Sequence, residues 1–386
     1  MKNLLITMSG GTTSVINATL AGLLKEAQKS DKIDRVYAGY PGIVGFMSGK
    51  ALDITDINES DLEVLKSSPG SASIGTTRTK IFDEQDLQKL SKCFEDYNIG
   101  YFVNIGGNGT IKQTKSIGKF INNVRVAAAP KTVDNDLGDP EFEDLWFTPG
   151  FPSCVNYWFH KMHMLNNENL GASTNDKVLI AQTFGRETGF IVGALRAYDV
   201  DRKLPIILLI PEDQQSPTKI ISRIDDTLCQ HGRAIIGICE GYKIRDYDYS
   251  YDLTGQKMYG SSSSSAMQQL INLCIANNIQ ARGYNPTVDQ RQNFNYTVQQ
   301  DLDISYELGQ QIIKNFMANN THFFQSYSKF GCHSIPLSDI GDYSREMKKE
   351  WIDDGGFDVT DKYTDYLAGI VRPSVPKSLF VGGQVI

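Results

Sequence analysis

The segment Pro130-Lys131-Thr132-Val133-Asp134-Asn135-Asp136 sets two carboxylates two residues apart, beside a lysine and a threonine. That set suits phosphoryl transfer. One aspartate can accept the proton of an attacking hydroxyl, the other can help hold Mg2+ or orient the acceptor, and Lys131 can balance phosphate charge. The same Asp-Asn-Asp run is equally good turn chemistry, so composition alone leaves both readings open. Two glycine-rich turns could supply the phosphate site: Ser9-Gly10-Gly11-Thr12-Thr13 and Gly106-Gly107-Asn108-Gly109-Thr110. Each follows an apolar run and opens a helical pattern, so the backbone can approach an anion and the helix start offers N–H groups to it. Neither is a Walker motif, because no Gly-Lys-Ser/Thr follows. One Gly-Gly turn is commonly just a tight turn. Two in one chain suggest a polyphosphate lying across two helix N-termini.

Further polar residues end other apolar runs. In Phe184-Gly185-Arg186-Glu187 the arginine could meet a phosphate or pair with Glu187 at the surface. Glu240 could bind sugar hydroxyls or act as a solvated cap. Arg282 and Arg291, in polar surroundings, could join Lys177 in a pocket for a monophosphate; singly, each reads as a surface charge.

These residues need strands to carry them. Apolar, β-rich runs occur at Leu4–Met8, Arg35–Tyr40, Tyr101–Ile105, Val124–Ala129, Val178–Thr183, Ile206–Ile210 and Ala234–Cys239. Helical patterns lie between several of them, at Ala18–Lys29, Ile111–Phe120, Cys154–Leu165 and Lys219–Gln230. Continuous apolar strands alternating with helices predict largely parallel sheets buried on both faces, in two doubly wound α/β lobes with the active site in the cleft between them. Open α/β sheets place ligands at the carboxyl ends of their strands, where these motifs fall. The expected division is a phosphoryl-donor lobe over 1–150, extended by part of 250–300, and a sugar-phosphate lobe over 151–386. The polar stretch Tyr247–Ser265 reads as a loop, Ser261–Ser265 leading into a helical pattern at Met267–Asn277. The tail from about Asn319 reads as a cover over one lobe.

The chain has 386 residues, a net charge of −7, 40% hydrophobic and 22% charged residues. That is ordinary for a soluble globular protein and long enough for two or three domains. An acidic surface argues against nucleic-acid binding, yet a few arginines can still build a positive pocket. The six cysteines form no CxxC pair and the five histidines no HExxH or HxxxH pair, which fits reduced thiols better than a disulfide framework or zinc site. No stretch approaches the ~20 apolar residues of a membrane span, and the start has too short an apolar run for a signal peptide. A cytoplasmic protein with no membrane partner is expected.

In this order the motifs resemble those of the phosphofructokinase family, including its pyrophosphate-dependent branch, from Leu4 to about Arg291 and weakly into the tail. The resemblance implies transfer of a phosphoryl group from ATP or pyrophosphate, with Mg2+, to the C1 hydroxyl of fructose 6-phosphate. By it Asp134 is the base, Lys131 and Arg186 are catalytic, and Thr132 and Asp136 assist. Phe184, Gly185 and Arg186 match the family's Met-Gly-Arg turn, Glu240 holds sugar hydroxyls, and Lys177, Arg282 and Arg291 surround the 6-phosphate. Gly11, Arg78 and the turn Gly107, Asn108, Gly109 and Thr110 match the donor site, with Asn108 at the metal position. Some of these groups come from a neighbouring subunit in the family, which implies a homodimer or homotetramer.

Four departures bear on the substrates. Gly109 stands where strict pyrophosphate users carry Asp, which leaves room for the α-phosphate of ATP. Asn108 stands where many members carry a metal-linked Asp, Val288 replaces a polar phosphate contact, and Lys177 replaces an arginine, losing bidentate geometry. Lys131, Thr148-Pro149-Gly150-Phe151 and Gly356-Phe357-Asp358-Val359-Thr360 resemble the pyrophosphate branch. The steric argument at Gly109 favours ATP slightly, while the overall resemblance leans to pyrophosphate. Two rivals are a same-fold kinase acting on another sugar phosphate or metabolite, and a non-catalytic regulatory paralogue. Retention of Lys131, Thr132, Asp134, Asp136 and Arg186 together argues against the second.

Overall fold

Thirteen strands, the central ones runs of buried aliphatic and aromatic residues, form among the described residues of the computed structural model, which are 1–68, 72–244, 251, 257–259 and 265–375. In chain order these are β1 (Lys2–Met8), β2 (Ile33–Gly39), β3 (Ala51–Asp53), β4 (Ile99–Gly106), β5 (Arg125–Pro130), β6 (Leu137–Gly138), β7 (Val178–Thr183), β8 (Ile206–Leu209), β9 (Ala234–Cys239), β10 (Ala281–Tyr284), β11 (Phe323–Ser328), β12 (Gly331–Pro336) and β13 (Gly341–Ser344). The chain packs as two units. Unit 1 takes residues 1–154, 251–258 and 288–346; unit 2 takes the remainder.

The sheet of unit 1 runs β12-β11-β5-β4-β1-β2-β3. Its five central strands are parallel, and β12 and β3 close the edges antiparallel. Every residue of β4 is buried, as expected for a strand covered on both faces. On one face, the helices Ile16–Ala27 and Gln299–Met317 bury Leu20, Leu23, Ile312 and Phe316 against Leu4 and Ile6. Glycine lets these two helices touch. A methyl at Gly22 would fall 2.0 Å from the Tyr306 carbonyl oxygen, and one at Gly309 2.2 Å from that of Thr19. On the other face Phe46, Leu90, Phe94 and Ile117 pack on Phe102. Antiparallel β6 and β13 form a separate two-stranded ribbon.

Unit 2 has a four-stranded, fully parallel sheet, β10-β7-β9-β8. Ile180, Ile236 and Ile238 meet Ile220 and Ile224 from the helix Pro217–His231, and Leu270 and Cys274 from Ala266–Ala276. The late segment 347–370 is fastened to this unit. Buried Arg196 pairs with Asp199 at 2.9 Å and Asp358 at 2.8 Å, and Trp351 stacks on Tyr366 at 4.7 Å.

Unit 1 takes 251–258 and 288–300 from the stretch expected to extend the first lobe, and beyond that expectation it also takes residues 301–346. The tail expected only to cover a lobe supplies β11, which pairs in parallel with β5, and β12 beside it. Of the loop expected at Tyr247–Ser265, only Tyr251, Lys257, Met258, Tyr259 and Ser265 are described; Ser261–Ser264 lie outside the described residues. No helix among the described residues is long and apolar enough to cross a membrane.

Candidate active site

In unit 1 the carboxyl ends of β1, β4 and β5 meet. Parallel pairing makes this local: Met8 lies opposite Ile105, and Gly106 opposite Pro130. After β1, the Gly10 N–H donates to Thr77 O at 2.9 Å and Thr76 Oγ1 donates to Gly10 O at 2.8 Å. Gly10 has φ +84°, a conformation open to glycine. Lys131, only 4% exposed, donates from Nζ to Gly11 O, so the acidic segment and the first glycine turn are joined directly. Arg291 lies against that turn: a methyl at Gly11 would fall 2.4 Å from its Nη1.

The helix Asn108–Phe120 opens the second turn. Its N-cap, Gly107, provides no side-chain cap, whereas Asn58, Asp83 and Ser216 each cap the helix they precede. An uncapped first turn keeps its N–H dipoles available to an anion. Thr110 is buried beneath it, and Lys80 crosses above it. Lys80 Nζ donates to Ser9 Oγ at 2.8 Å and to Thr110 Oγ1 at 3.3 Å. A methyl at Gly109 would fall 3.0 Å from Lys80 Cε. The space that Gly109 opens is therefore held by a lysine stem, a feature the Gly-Thr-Thr-Arg-Thr-Lys sequence hinted at only through the proximity of Lys80 to Arg78. Arg78 itself is exposed.

Asp134, half-buried, donates its backbone N–H to Thr132 Oγ1 at 3.1 Å. Asn135 then adopts φ +58°, and Asp136 is buried. Asn108 Nδ2 donates to Asp136 O at 2.9 Å and approaches Asp136 Oδ2 at 3.3 Å; Ser344 Oγ also donates to Oδ2, at 3.1 Å. Asn108 Oδ1 is buried and has no hydrogen-bond partner. An orphaned oxygen beside a carboxylate fits a hard cation such as Mg2+, which takes oxygen ligands and keeps several from phosphate and water. Among the described residues no cluster of three His, Cys, Asp or Glu side chains could hold a metal. Behind this segment, burial first, then the Asp134 and Asp301 charges, push the Cys154 thiol well above its usual range.

In unit 2, β7 ends in Phe184-Gly185-Arg186. Gly185 has φ +120° and Arg186 φ +54°. This strained turn is tied down from inside. Thr188 Oγ1 donates to Gly185 O at 2.9 Å, and the buried Cys239 thiol to Arg186 O at 3.1 Å. Gly241 lets Arg186 O approach, since a methyl there would lie 1.8 Å from it. The exposed Arg186 side chain thus leaves a fixed backbone. Glu187 accepts a hydrogen bond from Tyr259 at 3.1 Å. Glu240 follows β9, buried, its N–H donating to Thr183 O at 2.9 Å.

Of the three cations that the sequence grouped, the structure brings Lys177 and Arg282 to one end of the unit 2 sheet. Arg291 belongs to unit 1. Lys177 precedes β7, and Arg282 sits opposite Leu179 at the start of β10. Both exposed side chains therefore lie at the amino end of the unit 2 sheet, with Arg282 paired to Asp176 at 2.5 Å and Glu168 at 3.5 Å. Arg186 and Glu240 lie at the carboxyl end, about 17–20 Å along a six-residue strand.

An α/β fold of largely parallel sheets with two glycine turns and an acidic segment on its strand ends defines a phosphate-handling class of enzyme. The chain matches the phosphofructokinase family over residues 3–296, and it belongs to that family. It is 24% identical over 398 residues to the pyrophosphate–fructose 6-phosphate 1-phosphotransferase of Halomonas elongata, covering 96% of this chain and 92% of the relative. The corresponding enzyme of Rhodospirillum rubrum is 25% identical over 401 residues, covering 96% and 94%. The solved structure of the pyrophosphate-dependent phosphofructokinase from Nitrosospira multiformis superposes with a TM-score of 0.85 at 23% identity, over 99% of this chain and 94% of that one.

Proposed function

We propose that this protein is a phosphofructokinase-type phosphotransferase, moving a phosphoryl group to the C1 hydroxyl of fructose 6-phosphate, with pyrophosphate as donor. The observation that carries this reading is the contact of the acidic segment with both glycine turns within one unit, through Lys131 to Gly11 O and through Asn108 to Asp136 O. Asp134 takes the proton of the attacking hydroxyl. Lys131, Thr132, Asp136 and the turns position and neutralise the donor, and Arg186 steadies the charge on the phosphoryl group in transfer. Asn108 Oδ1 would hold Mg2+ beside the donor oxygens, where the ion adds positive charge. Phe184, Gly185 and Glu240 orient the sugar.

Pyrophosphate is preferred over ATP because Lys80 fills the space above Gly109, and the relatives named for a donor of this kind align over nearly the whole chain. ATP is the second reading: Gly109 carries no side chain, and a lysine stem can swing aside. Lys177 and Arg282, at the far end of their sheet, serve the 6-phosphate of a neighbouring subunit, so the enzyme is a homo-oligomer. A cytoplasmic setting matches its small phosphorylated substrates.

The test is consumption of fructose 6-phosphate with pyrophosphate, and separately with ATP, in the presence of Mg2+. Pyrophosphate should give the higher kcat/KM. Asp134→Asn should lower kcat by about 10²–10⁴-fold while leaving fructose 6-phosphate binding nearly intact. Near wild-type turnover in that variant removes Asp134 from the mechanism.

A further inference from the structure

One buried cation touches the acidic segment yet takes no part in the reading above. Arg345 is 1% exposed and directly follows β13. Its Nε donates to Asn135 O at 2.7 Å across a sequence separation of 210 residues, and its Nη2 donates to Asn135 Oδ1, also at 2.7 Å. Its Nη1 donates to Leu145 O at 2.6 Å and Asp139 O at 3.2 Å. Its backbone N–H donates to Asp136 O at 2.9 Å. The guanidinium carbon stands 3.9 Å from the centroid of the Phe142 ring, within cation–π range.

Two of the residues it grips, Asn135 (φ +58°) and Phe142 (φ +59°), have left-handed backbones. Asparagine tolerates that conformation; for phenylalanine it is a genuine outlier, kept only where surroundings over-determine it. The left-handed step at Asn135 sits between Asp134 and Asp136. It lies on the backbone path that sets the relative direction of the two carboxylates, and Arg345 bonds both its carbonyl and its side-chain amide oxygen. Asn135 Oδ1 also accepts from Thr148 N–H at 3.0 Å, so one amide and one guanidinium together lock the loop from 135 to 148. The β6–β13 ribbon brings Arg345 there, and Gly138 permits it: a methyl at Gly138 would fall 2.7 Å from Gly341 O.

We propose that Arg345 is a positioning residue for phosphoryl transfer. It fixes the left-handed turn at Asn135 and thereby the reactive orientation of Asp134 and Asp136. The proposal rests on Asp134 being the base. A planar five-donor fork can span Asn135, Asp139 and Leu145 at once; an ammonium cannot.

The test compares wild type with Arg345→Ala, Arg345→Lys and Asp134→Asn. In R345A, kcat should fall about 10²-fold, the order expected when reacting groups are misplaced by an ångström. KM for both substrates should stay within about threefold, since the glycine turns are untouched. Added guanidinium should restore R345A turnover about tenfold and leave wild type unchanged, because it refits the vacated fork. R345K should fall between the two and gain nothing from guanidinium. Amide hydrogen exchange needs no activity: faster exchange confined to 135–148 in R345A supports the clamp, and unchanged exchange overturns it. An R345A that melts lower yet keeps kcat within twofold also overturns it, while leaving the Asp134 reading intact. An inactive wild type overturns the Asp134 reading and with it the role of Arg345 in transfer, whereas unchanged exchange in R345A overturns the Arg345 role alone. Should R345A fail to fold, R345K carries the same comparison.

Discussion

Gly109 leaves no side chain over the start of the helix Asn108–Phe120, and as sequence that opening argued for ATP. In the folded protein Lys80 lies across it, with Nζ shared between Ser9 and Thr110. With pyrophosphate as the donor, as proposed, a lysine there would serve two ends: its charge would attract a small, highly charged diphosphate, and its stem would occupy volume that a nucleotide needs. Lys80→Met keeps most of the volume and removes the charge. It should lower kcat/KM for pyrophosphate by about 10- to 100-fold, the equivalent of the ~1.5–3 kcal/mol of a charged hydrogen bond. Lys80→Ala removes both charge and bulk and should raise the ATP-to-pyrophosphate ratio further. Steady-state kinetics with both donors reads this directly. An equal change for the two donors in both variants would mean that Lys80 does not select between them.

The helix Phe151–Gly171 begins in unit 1, and its start is held by a residue far away in sequence. Asp301, 0% exposed, accepts from Gly150 N–H at 3.0 Å, from Ser153 N–H at 3.2 Å and from Ser153 Oγ at 2.7 Å. Burial pushes its carboxyl up to about 6, against the lowering effect of those hydrogen bonds. The folded-state value lies above the unfolded one, near 3.9, so the folded form binds an extra proton between them. Stability from this group is therefore present below about pH 4 and lost as pH rises towards about 6. Asp301→Asn removes the titration. The difference in unfolding free energy between wild type and D301N should shift by roughly 1.4 kcal/mol per pH unit within that window and be flat outside it. Urea titrations at several pH values measure this, and a pH-independent difference would show that Asp301 does not titrate there. Asp301 also marks where sequence reading stops. The seven apolar strands and the helices beside them fall within a few residues of their predicted places, because burial on both faces demands unbroken apolar runs. β11 escaped notice because its buried polar residues are satisfied by distant partners: Gln325 accepts from Asn315 at 3.1 Å, and Ser326 donates to Asp144 O at 2.6 Å. The glycine turns and Lys131–Asp136 were legible because strand-end chemistry needs local residue types. Lys80, Asp301 and Arg345 were not, because each acts across a closure that only the fold makes.

At the scale of the whole molecule, the position of Lys177 and Arg282 sets the problem. A phosphate pocket built on Arg186 and Glu240 uses the carboxyl end of the unit 2 sheet, and these two cations stand at the amino end, about 17–20 Å away along β7. No rotamer spans that length. If they serve a sugar phosphate at all, they serve one bound by a second copy, and the assembly is part of the site. The consequence is testable by complementation. Asp134→Asn and Arg282→Ala should each be nearly inactive alone: the first lacks its base, the second the anchor it lends its neighbour. A mixed dimer of the two holds one site with both defects and one with neither. Random reassociation after mixing should therefore return roughly a quarter of wild-type activity, from the statistics of a symmetric dimer. The recovered activity should show wild-type KM for fructose 6-phosphate, because the restored sites are chemically complete. Kinetics after mild dissociation and mixing, with mass measured in parallel, decide the matter. Recovery no greater than the sum of the two variants, in samples where mixed oligomers are present, would place Lys177 and Arg282 outside the site and return each chain to working alone.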